Sequence, residues 1–93
     1  MDKTSIYKLA PYVLKRMEYG INKFYLLNFS NNEIWVGNYA SYLIISKMDG
    51  ETSIDKIISE IKDFMTEYSY DDIFKSVESV VTELLEKNFL IIK

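Results

Sequence analysis

The 93-residue chain has no cysteine and no histidine. Without cysteine there is no disulfide framework, no iron–sulfur ligand set and no thiol nucleophile. Without histidine it also lacks the usual general base and the commonest transition-metal ligand. Together the two absences remove most nucleophile–base pairs and most zinc-type sites. The three glycines stand apart at positions 20, 37 and 50, so no Gly-rich phosphate loop exists. Apolar runs stop at four residues, far below the roughly 20 that cross a bilayer. The start, Met1-Asp2-Lys3-Thr4-Ser5, leads into no apolar segment and does not read as a secretory signal. The expectation is a complete, small, soluble cytoplasmic protein that is not an enzyme and needs no cofactor, metal or membrane.

What is present describes one domain. Hydrophobic residues make up 48% of the chain and charged residues 27%, a balance that suits a single globular core. The net charge of −3 is unevenly spread: residues 1–48 hold six basic and three acidic side chains, and residues 49–93 hold five basic and eleven acidic ones. The acidic half is also the half with helical periodicity.

Residues 1–9 read as a loose N-terminal arm, and residues 10–93 as the folded domain. Pro11 suits a strand entry or an edge position. Tyr12 to Tyr19 is rich in strand formers and ends at the turn Gly20-Ile21-Asn22. Phe24 to Phe29 is a second strand, apolar on both faces, which suggests that both are buried or that an edge is covered. Ser30-Asn31-Asn32 makes a hairpin connection, since Asn tolerates positive φ. Glu33 to Gly37 is a third strand, and Asn38 N-caps the helix that follows. That helix spans Tyr39 to Met48, with Ala40, Leu43, Ile44 and Met48 on one face. Asp49-Gly50 closes it, with Gly50 in the left-handed conformation. Thr52 to Asp55 resembles a capping box. A second helix then repeats Ile54, Ile57, Ile58, Ile61 and Met65 at helical spacing. Asp71 and Asp72 suit the start of a third helix that runs to about Lys87. Phe89 to Ile92 is a terminal strand or packed tail. The fold class is α+β: a three-stranded antiparallel sheet followed by three helices, in the order of a winged helix-turn-helix domain.

Most polar clusters have bland explanations. Glu60, Asp63 and Glu67 form a solvated helix face. Asp49-Gly50-Glu51 has too few fixed ligand positions for calcium. Lys15-Arg16 is too little for a nucleic-acid groove. The third helix carries Asp71, Asp72, Glu78, Glu83 and Glu86 against Lys75 and Lys87, so a polyanion would repel it and no nucleic-acid partner is expected. Trp35 is left with two readings, core packing or partner contact. On the third helix, Ile73, Val77, Val80 and Leu84 can serve the core, which leaves Phe74 and Val81 on a flank. A strand edge beside such a flank suits β-augmentation by an extended peptide.

The pattern Asn38 before an apolar helix, Ile44-Ile45, Asp49-Gly50, Thr52 with Ile54 and Ile57-Ile58, and the ending Leu84-Leu85-Glu86-Lys87-Asn88-Phe89-Leu90 resembles the PqqD-like family. These are recognition elements for ribosomally synthesised peptide natural products. The resemblance covers about residues 10–92. Gly37 departs from it, because the family usually places a bulky aliphatic residue before the Asn. The resemblance implies a stand-alone protein that holds the leader of a precursor peptide as an added strand. It would present that leader to a modifying enzyme, often a radical-SAM enzyme. The implied contact residues are Ile34, Trp35 and Val36 on the strand and Phe74, Val77, Glu78 and Val81 on the helix. A monomer or weak homodimer is expected, because an exposed strand edge can pair with a second copy. Two alternatives remain: an assembly module that buries the same cleft against a permanent partner, and a winged-helix DNA-binding regulator.

Overall fold

A computed structural model describes residues 1–93. The elements follow in the order β1 (Ile6–Leu9), β2 (Val13–Glu18), β3 (Lys23–Asn28), β4 (Glu33–Gly37), α1 (Tyr39–Ser46), β5 (Asp49–Ser53), α2 (Ile54–Phe64), α3 (Tyr70–Glu86) and β6 (Leu90–Ile92). They make an α+β domain with three helices and two three-stranded antiparallel sheets, ordered β2-β3-β4 and β5-β1-β6.

The first sheet is a meander. Asn22, at φ 51°, closes the single 3₁₀ turn between β2 and β3, and Asn32, at φ 58°, serves the β3–β4 connection. On β3 the side chains alternate: Phe24, Leu26 and Asn28 are buried, while Tyr25 and Leu27 are half-buried on the other face. Asn28 is the one buried polar side chain, and both its amide nitrogen and its oxygen are hydrogen-bonded. Its Nδ2 donates to the Asn88 carbonyl at 3.1 Å, and its Oδ1 accepts from the Ser30 N–H and hydroxyl. A polar group buried without partners is costly, so Asn28 ties the hairpin to the end of α3.

The second sheet corrects the reading of residues 1–9 as a loose arm. β1 is its central strand, paired with β5 on one side and β6 on the other. Residues before β1 are also tied down: the Ser5 and Lys3 carbonyls accept from the Ile54 and Asp55 N–H groups. Those donors open α2 and have no partner within their own helix. Both of β1's strand partners lie far away in sequence, so no local pattern announces the pairing.

The Asp49-Gly50 segment is a second correction. α1 ends at Ser46 with Lys47 as its cap, and residues 49–53 are strand rather than helix terminus. Gly50 does take positive φ, at 80°, but where the β1–β5 register shifts. A Cβ at Gly50 would lie 3.2 Å from Lys8 Cδ. The Asp49 carboxylate accepts from the Glu51 and Thr52 N–H groups and the Thr52 hydroxyl. Those donors, the Glu51 N–H foremost, hold it below the usual carboxylate range. Thr52 is thereby engaged, and Ser53, not Thr52, caps α2. Asn38 caps α1 as expected, and Ser69 with Asp72 forms a capping box at α3.

The core lies where both sheets meet the helices. Phe24 and Leu26 come from the meander, Tyr7 and Leu90 from the second sheet, and Ile54, Ile57, Ile58 and Ile61 from α2. α3 adds Ile73, Val77, Val81 and Leu84, at i, i+4, i+8 and i+11. No helix is long and apolar enough to cross a membrane.

Candidate functional site

β4 is an outer strand: it pairs with β3 and with no other strand. Alternate residues of such a strand direct N–H and C=O groups away from the sheet, where another chain can pair with them. The register sets Trp35 beside buried Leu26, and Val36 and Ile34 beside Tyr25 and Leu27 on the opposite face. Ile34 and Val36 are exposed; Trp35 is half-buried against the core. Trp35 therefore faces inward, with a polar tip still engaged. Its indole Nε1 donates to Glu83 Oε1 at 2.9 Å, which bridges β4 to α3. That N–H, and after it the Lys87 ammonium, holds the Glu83 carboxyl below the usual glutamate range.

Gly37 makes the Trp35 placement possible. A Cβ at Gly37 would sit 2.7 Å from two carbons of the indole and 2.7 Å from Ser41 Oγ. The ring fills the space that a side chain at 37 would occupy.

The α3 residues expected to form the wall divide between the core and one flank. A helix turns about 100° per residue, so Asp72, Ser76 and Val80 share the face of Glu83. Phe74 and Glu78 fall on the opposite side. Val77 and Val81 are core residues, 0% and 2% exposed. Phe74 is half-buried and stacks on Tyr70 with centroids 6.4 Å apart. Glu78 accepts from the Met1 amino group at 2.8 Å. Lys3 lies 5.0 Å above the Tyr70 ring, so the N-terminal segment covers this flank. The Tyr70 hydroxyl donates to Asp55 Oδ1 at 2.6 Å, which pushes the phenol up to about 12. Thus Ile34, Trp35 and Val36 lie together on β4, while on α3 Val77 and Val81 belong to the core that Trp35 packs against, and Phe74 and Glu78 lie about half a turn from the Glu83 that Trp35 reaches. Periodicity marks α3's buried stripe but not which flank turns toward β4.

An open groove of ≈ 480 Å³ lies between the three helices. Leu43 and Ile44 of α1, Ile61 of α2, Met65 and Ile73 form its apolar lining, and Asp72, Lys75 and Ser76 contribute from α3. The sequence sets Ala40, Leu43, Ile44 and Met48 on one helix face. Only Ile45 of α1 is buried; Met48, just beyond the helix, is buried too, while Ala40, Leu43 and Ile44 line the groove, with Ile44 also packing on the core. The signal was present: Leu43, Ile44 and Ile45 are consecutive, and one face cannot bury all three. The groove and the Trp35–Glu83 bridge share one α3 face. Ser76 and Glu83 are separated by about 10 Å of helix axis. An extended segment paired with β4 would run beside that face.

No family model, curated protein or solved structure matches this chain.

Proposed function

We propose that this chain is a winged helix-turn-helix domain that binds the leader region of a ribosomally synthesised precursor peptide. The leader adds as a strand to the free edge of β4 and is presented to a modifying enzyme, in keeping with the PqqD-like resemblance a radical-SAM enzyme. The carrying observation is an unpaired strand edge bridged by Trp35 and Glu83 to a helix face that leads into an apolar groove. Backbone pairing supplies affinity in such a mode, and pockets for alternate side chains supply specificity. The departure at Gly37 has a physical counterpart, because the indole of Trp35 takes the volume of the missing aliphatic side chain. On this reading the leader pairs with the β4 backbone along Ile34, Trp35 and Val36, with Trp35 turned toward α3, the Ile34 and Val36 side chains on the other face of the sheet, and Ser76, Val80 and Glu83 as the opposing wall. Exposed Asp71, Asp72 and Glu86 outnumber Lys75 and Lys87 on α3, which disfavours DNA and favours a leader carrying Lys or Arg.

Titration with a synthetic leader of a precursor encoded beside the gene, read by Trp35 fluorescence, tests this. Ser76 is exposed, so Ser76→Arg leaves the fold intact and obstructs the wall. The expected loss is about tenfold in affinity, or ~1.4 kcal/mol. Phe74→Ala, on the opposite flank, leaves affinity within about twofold. The reverse ranking would place the peptide on the other side of α3.

A further inference from the structure

The outer face of the β2-β3-β4 sheet has no covering element, yet it is apolar. The register lines Leu14, Leu27 and Ile34 into one row across all three strands. The next row is Arg16, Tyr25 and Val36. On the other side of the leucine row lie Tyr12 and Phe29, joined by a backbone hydrogen bond at 3.0 Å. Leu14, Ile34 and Phe29 are 57%, 62% and 61% exposed. An antiparallel sheet open to water on one face normally alternates apolar and polar residues. This one does not, and it is the mark of an interaction surface.

We infer that this face packs against the same face of a second copy of the chain. Three observations select that occupant. First, the charge on the face is nearly cancelled, since Arg16 pairs with Glu18 of its own strand and Lys23 sits at the far end of the sheet. Like-charge repulsion between copies is therefore small, although the chain as a whole carries −3. Second, the pattern is self-complementary about a twofold axis along the Leu14–Leu27–Ile34 row. That axis sets each row-forming residue against its own copy. It also carries Arg16 of one copy over Tyr12 of the other, and Tyr25 over Phe29, an arrangement suited to cation–π and aromatic contact. Third, the area fits a weak dimer: half-exposed side chains of this size sum to roughly 600 Å² per copy, against ~800 Å² per partner in a standard specific interface. Sheets packed this way align their strands within about 30°. The dimer leaves the β4 edge free, so it does not depend on the peptide-binding reading.

Sedimentation of the full chain from micromolar to near-millimolar concentration tests the dimer. The expected result is a reversible rise toward twice the monomer mass, with concentration-dependent amide shifts in residues 12–16, 25–29 and 34–36. Leu14→Lys combined with Ile34→Lys raises the dissociation constant at least about tenfold. The milder Ile34→Thr keeps strand propensity and raises it by a smaller factor. Phe64→Ser removes an apolar side chain that is 77% exposed on α2 and leaves the dimer unchanged. Three results would overturn the inference: a monomer at every concentration, a dimer that survives the folded double variant, or protection of this face that appears only when the modifying enzyme is added. The last would assign the face to that enzyme.

Discussion

Trp35 and Gly37 occupy one volume between them, and each explains the other. The indole lies where a residue-37 side chain would go, and its N–H reaches Glu83. Gly37→Ala forces either the ring or Ser41 to move. The expected cost is about 1–3 kcal/mol, with a displaced indole N–H resonance and red-shifted tryptophan emission. Unchanged emission and stability would mean that the ring tolerates the methyl group. Glu83 gives a pH signature. Its pKa is depressed in the fold, so its contribution is present above the unfolded glutamate value and is lost as pH falls through the lower folded value. Tryptophan fluorescence of the folded protein should therefore titrate below the ordinary glutamate range, and Glu83→Gln should abolish that step. A midpoint at or above the ordinary value would show that the indole bond does not hold the carboxylate.

At the scale of elements, β1 is the sharpest test of the fold. Tyr7 is 4% exposed on the central strand of the second sheet, so Tyr7→Ala should cost about 3 kcal/mol in urea unfolding. A loose arm would predict almost none. The elements legible in the sequence are those whose cause is local. β4 shows as a short apolar run between Asn and Gly signals, α2 as an isoleucine stripe, and α1 begins at the Asn38 cap. The elements that were missed depend on distant partners. β1 joins β5 and β6 across most of the chain length, and Asp49-Gly50 is strand only because β1 lies beside it. The site divides in the same way. Ile34, Trp35 and Val36 were placed on one strand by pattern alone. On α3, periodicity does not tell which flank turns toward β4: Trp35 reaches Glu83, and Met1 and Lys3 lie against the flank of Glu78 and Tyr70.

Across the whole molecule, the basic half supplies the meander and the acidic half supplies α2 and α3. The β4 edge lies where the two halves meet, with Trp35 and Glu83 joining them. On the proposed reading, a peptide inserted there would pair with β4 and sit beside an acidic helix face, which would favour a basic leader. The sheet's outer face points away from this cleft, so one copy can bind peptide and a second copy at once. The most direct test is an NMR titration of the full chain with the leader of the neighbouring precursor peptide. The account predicts saturable shifts in residues 33–37 and on the Asp72, Ser76, Val80 and Glu83 face of α3, together with movement of the Trp35 indole N–H. Saturable binding with shifts confined to Phe74, Glu78 and the N-terminal segment, or no shifts in a folded sample, would contradict it.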